Sequence, residues 1–277
     1  MKRPVAAVAK YGLLAAFALF FLFPLYWLLA TALKTQTDIF TVPPVWLPRT
    51  LSLGYFREIL FESSLARLAW NSTVVALGST ALSLAAGTLG AYSLSRFRLP
   101  AGLNHHILFW ILSTRMFPPI VSIVPLFLLL RGAHLLDTRA GLILAYSVFN
   151  LPFVVWMMKG FFDEVPRELE ESALVDGDTP WGAFRRISLP LVRPGLAATA
   201  VFCLIVAWNE FLFALVLSQS DAALTLPVGI ASQVTQYEIR WGVMSAAGVA
   251  AAIPLFVFAL LVQRHLVRGL SYGAVKG

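Results

Sequence analysis

An all-α membrane protein with six transmembrane helices is the fold class this sequence predicts, and three observations predict it. Hydrophobic residues make up 59% of 277 and mean hydropathy is +0.79, well beyond a globular domain. The apolar residues fall in six runs, and a run of about 20 spans the roughly 30 Å hydrocarbon core. Basic residues collect between alternate runs, as they do in loops held on the cytoplasmic side. Each run is read as a helix, because lipid offers no partner to unpaired backbone groups.

The first run, Tyr11–Leu33, carries no charge. Lys2 and Arg3 before it and Ala30-Thr31-Ala32 at its end imitate a secretory signal. Its 23 residues exceed a cleaved apolar region, so an uncleaved first helix is expected. The outer loop after it, about 34–68, holds PPVWLP at 43–48, whose prolines favour a stiff extended path. The second run, Ala69–Leu94, is uncharged and carries Gly78, Ala81, Ala85, Gly87 and Gly90. Such small residues let helix backbones approach closely, within the chain or against another. A short basic inner loop, Ser95–His105, leads to the third run, His106–Leu130, which contains one charge, Arg115. Phe117-Pro118-Pro119 and Pro125 interrupt this run, and kinks or unwound turns are expected there.

A tight outer turn, Arg131–Arg139, precedes the fourth run, Ala140–Met158, with Asn150 and Pro152 inside it. Helices broken by proline are either kinked packing elements or the lining of a path, since freed carbonyls at depth need cover from protein or water. The inner loop 159–195 is the largest connection on its side. The fifth run, Leu196–Leu217, contains Glu210, and a second sizeable outer loop, 218–240, follows. The sixth, Trp241–Val262, is uncharged and rich in small residues from Ala246 to Ala251. The tail 263–277 returns inside. The chain is therefore expected to be one membrane domain, 1–277, with both termini cytoplasmic. In that orientation the inner segments hold thirteen Lys and Arg and the outer segments seven. The net charge of +7 is read as this topology, and no basic tract is dense enough for a nucleic-acid partner.

Several chemistries are excluded. No Gly-x-x-x-x-Gly-Lys occurs, so the chain lacks the usual phosphate cradle for ATP. The four histidines form no His-Glu-x-x-His, and a single cysteine, Cys203, makes neither an internal disulfide nor a thiol metal cluster. No metal site and no catalytic residue is expected. Gly269-Leu270-Ser271-Tyr272-Gly273 matches a nucleophile elbow in letters only, because a membrane helix precedes it where the elbow needs a strand. Asn71-Ser72-Thr73 matches a glycosylation acceptor, but at a span's edge it is read as structural.

Arg115 lies nine residues inside its run, or about 14 Å at 1.5 Å per residue. A charge there costs at least about 2.5–3.5 kcal/mol unless paired or wet. Arg115 and Glu210 are expected to face the bundle interior, as an ion pair between helices or as the border of a solute path. Asn150, Trp156, Trp208 and Asn209 offer amides and aromatic faces of the kind a sugar binds, and serve equally as links between helices.

The inner loop carries the most informative stretch, ELEESALVDGDTPWGAFRRISLP at 168–190, with seven charges where the whole chain is 13% charged. Pro166 suits a first turn. Leu169, Ala173 and Leu174 share one helical face, with Glu168 and Glu171 projecting elsewhere. Gly177 supplies a left-handed residue that ends the helix, Thr179 caps the next one and Pro180 begins it. Trp181, Phe184 and Ile187 mark an apolar face, and Pro190 is expected to stop the helix. The result is two short amphipathic helices joined by a bend. Three glutamates and two aspartates against two arginines suit an anionic lipid surface poorly, so docking to a protein is expected.

The stretch resembles the EAA loop of bacterial ABC-importer permeases. That pattern runs Glu-Ala-Ala, three residues, Gly, nine residues, then Ile-x-Leu-Pro. Here stand Glu171-Ser172-Ala173, then Asp176-Gly177, and Ile187-Ser188-Leu189-Pro190, with every spacing kept and only Ser172 departing. The size, the six runs, MFPP at 116–119, WNEF at 208–211 and the ending GLSYGAVKG resemble the shorter membrane subunit of maltose-type sugar permeases. The resemblance implies a type I ABC importer permease (MetI-like) fold in a bacterial inner membrane. It implies that Glu171, Ser172, Ala173, Asp176, Gly177, Ile187, Leu189 and Pro190 belong to coupling helices seated in an ATPase cleft. The implied partners are an ABC ATPase dimer, a second non-identical permease and an extracytoplasmic binding protein that delivers a sugar-like solute. The chain itself needs no cofactor; ATP–Mg is bound by the ATPase. In that family the outer loop near 231–241 probes the binding protein, and the tail, Gly273–Gly277, runs between the ATPase subunits. Two rivals remain on composition alone. An ion-coupled secondary transporter should carry more midplane acids and a repeat, and an intramembrane enzyme should carry a catalytic pair.

Overall fold

The structure is a computed structural model that describes residues 2–97 and 99–274. In chain order its helices are α1 (Lys2–Ala32), α2 (Gln36–Ile39), α3 (Gly54–Arg57), α4 (Leu65–Arg96), α5 (Leu103–Ser113), α6 (Pro119–Gly132), α7 (Arg139–Asp163), α8 (Arg167–Val175), α9 (Pro180–Ala183), α10 (Leu189–Leu191), α11 (Arg193–Trp208), α12 (Leu212–Leu217), α13 (Leu226–Ala231) and α14 (Trp241–Ala274). Among the described residues there is no strand, only one bridge between Val234 and Ile239. Four helices, α1, α4, α7 and α14, are each long and apolar enough to cross a membrane. Two bent pairs, Leu103–Met116 with Pro119–Gly132 and Pro180–Leu191 with Arg193–Trp208, bring the number to as many as six if each pair is one span. The second pair takes in part of the expected inner loop rather than the whole run 196–217. The end of the expected tail segment, Val275–Gly277, lies outside the described residues.

Two expected helices differ in detail. The run 106–130 is an elbow: the segment Leu103–Met116 and α6 meet at 97°. Phe117 and Pro118 each precede a proline, which drives both to extended backbone, with ψ of 129° and 132°. Pro125 and Pro152, by contrast, sit inside continuous helices. The run 196–217 is two helices, because the chain unwinds over Asn209–Phe211 between α11 and α12.

The chain divides into two compact units. The first comprises residues 1–67 and 229–254. Its helix α1 presents Tyr11, Leu13, Phe17, Phe20 and Phe21 outward, as a lipid-facing helix does. At the C-terminal end of α1 the stiff PPVWLP segment folds back. Tyr26 donates to the Trp46 carbonyl at 2.7 Å, and Trp46 meets the Trp27 ring edge-on at 5.7 Å. Lys34 lies over the Trp27 ring, 4.2 Å from its centre. In α14 the small stripe has a use: Ala246 and Ala247 are buried, and a side chain at Gly248 would meet Leu28 at 3.3 Å.

The second unit comprises residues 68–228 with 255 onward. Here α7 packs between α4 and α11. A side chain at Gly78 would meet Ile143 at 2.7 Å, and one at Gly87 would meet Val154 at 2.6 Å. Lipid tails are as apolar as these residues, so close approach and hydrogen bonds hold the helices together rather than water exclusion. Ser147 donates to the Ser79 carbonyl at 3.2 Å and Ser83 to the Ser147 carbonyl at 3.2 Å. Towards the 163–192 end the core is formed by Tyr92, Val154, Met158, Phe162, Phe184 and Cys203. At the opposite end Asn71, fully buried, donates to the carbonyls of Asp221 and Leu224 at 3.1 and 2.8 Å and accepts from Arg139 at 2.8 Å. Ser72 accepts from the Leu226 amide at 2.8 Å. Asp137 accepts from the amides of Gln219 and Ser220, at 2.9 and 3.1 Å, and from the Ser220 hydroxyl at 2.6 Å. Burial pushes its carboxyl up, but these donors together hold it below the ordinary aspartate value.

Candidate functional site

The charged stretch folds into α8, a bend, α9 and a π-turn over Phe184–Ser188. Each boundary has a local cause. Pro166 precedes the first turn of α8, and Glu168 and Glu170 lie in that turn, where carboxylates suit the helix dipole. Gly177 ends the helix with φ +90°, a value side chains rarely adopt. Thr179 then caps α9, its hydroxyl accepting from the Gly182 amide at 3.0 Å, and Pro180 stands at the start. Pro190 does not stop the chain. The Leu189 amide reaches back five residues to the Phe184 carbonyl, and Pro190 lies within α10; the break falls at Val192. The wider turn accommodates a residue that has no donor to give.

One face of this double helix is exposed. Val175 is 87% accessible and Trp181 60%, with Leu169, Leu174 and Glu171 beside them. Ser172, Asp176 and Gly177 are exposed as well, while Ala173, Ile187, Leu189 and Pro190 are partly buried. The expected face of Trp181, Phe184 and Ile187 splits: Phe184 is buried against Tyr92 at 4.7 Å, and Trp181 points out. The π-turn, which spacing three does not reveal, causes the split. Asp178 and Arg186 form an ion pair that braces the bend, and the guanidinium holds the Asp178 carboxyl below its ordinary range.

The opposite face is tied down by a residue absent from the expected set. Glu170 is buried, with 9% of its side chain accessible. It accepts from Arg96 Nε at 2.7 Å, from the Tyr92 hydroxyl at 2.8 Å and from Ser188 Oγ. Burial alone would raise this carboxyl; the Ser188, Arg96 and Tyr92 bonds outweigh it and hold it low. Arg96 also donates to the Val165 carbonyl at 3.0 Å. Ser95 donates to Asp163 at 2.6 Å, and Arg167 to the Ser95 carbonyl at 2.5 Å. The end of α4, the end of α7, α8 and the π-turn thus share one polar network. A groove of about 180 Å³ beside it is lined by Arg96, Arg167, Glu170, Glu171 and Leu174. Removing one member of a buried ion pair costs about 3–5 kcal/mol, whereas the intact pair contributes little net stability. Such a network fixes geometry more than it adds stability.

The other expected residues do not gather. Arg115 is exposed at the elbow, donates to the Phe149 carbonyl at 3.1 Å and lies 5.6 Å from the Phe153 ring centre. The carbonyl it meets lies in α7, three residues before Pro152. Glu210 accepts from the amides of Phe213 and Ala214, at 3.0 and 3.3 Å, and so caps α12. Among the described residues no ion pair joins Arg115 to Glu210. Asn150 is buried and donates to the Cys203 carbonyl at 3.5 Å, tying α7 to α11. Asn209 is exposed and folds back to the Ile205 carbonyl at 2.8 Å. Trp156 is exposed and Trp208 buried. No group of histidine, cysteine or carboxylates among the described residues could hold a metal ion.

Comparison with known proteins places this geometry. Residues 83–272 match the family of binding-protein-dependent transport system inner membrane components. The sulfoquinovosyl glycerol transport system permease protein SmoH of Agrobacterium fabrum is 36% identical over 256 residues, covering 92% of this chain and 89% of its own. The diacetylchitobiose uptake system permease protein DasC of Streptomyces coelicolor is 37% identical over 255 residues, covering 92% of each. In fold, a chain of a bacterial ABC transporter that imports the acidic polysaccharide alginate superposes with a TM-score of 0.81. It is 22% identical, over 95% of this chain and 97% of that one.

Proposed function

This chain belongs to the family of binding-protein-dependent transport system inner membrane components, and we propose that it is the permease subunit of an ATP-driven importer of a sugar or sugar-like solute. The observation that carries the proposal is the double helix over 167–191. Its outer face is apolar and acidic, and its inner face is pinned by Glu170 to the end of α4. The solute class rests on the relatives, whose names speak of sulfoquinovosyl glycerol and diacetylchitobiose.

In this reading the segment 159–195 lies on the cytoplasmic side of a bacterial inner membrane, as do both termini. Glu171, Ser172, Ala173, Asp176 and Gly177 meet one subunit of an ABC ATPase dimer, with Ile187, Leu189 and Pro190 holding the second helix beneath. Magnesium-bound ATP belongs to that partner, and no bond is made or broken in this chain. A second, non-identical permease completes the membrane pore, and an extracytoplasmic binding protein delivers the solute. Arg115 borders the path at the α5–α6 elbow. An exposed guanidinium in mid-membrane costs about 2.5–3.5 kcal/mol facing lipid and far less facing water or a partner chain. Asn209 and Glu210 mark the break between α11 and α12, and Asn150 the facing turn of α7.

Uptake into vesicles tests the reading. Reconstituted with its ATPase, second permease and binding protein, the chain should import labelled sugar only with ATP inside the compartment where the ATPase sits. Uptake driven by an ion gradient without ATP would make it a secondary transporter and overturn the proposal.

A further inference from the structure

Docking to an ATPase requires only the exposed face of α8 and α9. It does not require a carboxylate buried against α4, yet Glu170 is buried there. Its two oxygens take three donors, from Tyr92 and Arg96 on α4 and from Ser188 in the π-turn. Arg96 carries the connection on to the Val165 carbonyl just past α7. Glu171, one residue on, is exposed.

We infer that Glu170 is a positioning residue that converts displacement of α8 and α9 into displacement of α4 and α7. The inference rests on the importer reading above and adds the route by which movement enters the membrane helices. Its physical basis is the difference between apolar and ionic contacts. Phe184 against Tyr92 and Phe162 is a contact that slides with little loss over a fraction of an ångström. A buried carboxylate cannot slide in this way, because a half-broken pair leaves an unmatched charge in a medium of low dielectric. A push on α8 therefore moves the end of α4 with it rather than being absorbed between them. The two adjacent acids divide the work, Glu171 facing out to the motor and Glu170 facing in as the pin.

The test uses the complete reconstituted transporter and reads three quantities: ATPase retained on purification, ATP hydrolysed, and solute imported. In Glu170→Gln the retained ATPase and its hydrolysis should stay near wild type, since the docking face is untouched. Solute imported per ATP should fall about tenfold, the loss expected of ~1.4 kcal/mol of coupling. The pair Glu170→Arg with Arg96→Glu should recover part of that ratio. If Glu170→Gln fails to assemble, Tyr92→Phe combined with Ser188→Ala removes two donors while leaving the ion pair, and the ratio should fall in the same direction by less. An unchanged ratio, or hydrolysis and uptake falling together in proportion, would overturn the inference and leave Glu170 as packing. A wild-type transporter with no ATP-driven uptake would instead sink the importer reading itself.

Discussion

Glu170 and Glu171 are chemically alike and have opposite surroundings, the first walled in by Tyr92, Arg96 and Ser188, the second open to solvent. Spacing along the loop brings Glu171 forward because it heads the recognisable motif. It says nothing of Glu170, whose ionic partner lies 74 residues earlier in the chain. Arg115 and Glu210 show a related gap: run lengths give each an expected depth, but say nothing of the carbonyl that meets Arg115 or the amides that meet Glu210. Asn71, by contrast, is read correctly as structural from its place at a span's edge. It satisfies two carbonyls and a guanidinium inside the second unit. Asn71→Ala should cost about 1–3 kcal/mol for each group left without a partner, and lower the melting temperature in detergent by about 2–4 °C per kcal/mol. An unchanged melting temperature would mean that water or a neighbour takes over those bonds.

At the scale of elements, helix ends were largely legible. Gly177, Thr179 and Pro180 each act through the backbone of their own turn, and so the sequence around them suffices. The π-turn over Phe184–Ser188 was not legible. It is set by the demand that Phe184 reach the Tyr92 and Phe162 rings while Pro190 withholds a donor, and only tertiary packing states that demand. The elbow at Phe117-Pro118-Pro119 follows from the residue-before-proline rule, whereas the unwinding at Asn209–Phe211 has no proline to announce it. Gly177 offers a clean test of the bend. Nothing lies within 4 Å of where its side chain would start, so a substitution acts through φ alone. Gly177→Val should cost about 1–2 kcal/mol of local strain and shift α9 against α8. Uptake should fall while the amount of chain in the membrane stays constant. Equal uptake in the variant would show that the bend carries no geometry the transporter needs.

At the scale of the molecule, the six apolar runs and their loops carry the fold class, and family membership agrees with it. Two features make the chain read as one part of a larger machine. Helix α1 presents Tyr11, Phe17, Phe20 and Phe21 among its exposed apolar residues, and the double helix over 167–191 holds Val175 and Trp181 out to solvent on a rigid base. The solute is not legible, because helices that pack through small residues and serine bonds serve any cargo. The docking face is the central claim, and it has a direct measurement. The chain's own cysteine, Cys203, is buried, so Val175→Cys introduces a reachable thiol where accessibility is 87%. In membranes containing the whole transporter, a short thiol crosslinker on that residue should capture the ATPase, with a yield that changes when ATP is added. Capture of lipid alone, with or without ATP, would contradict the account.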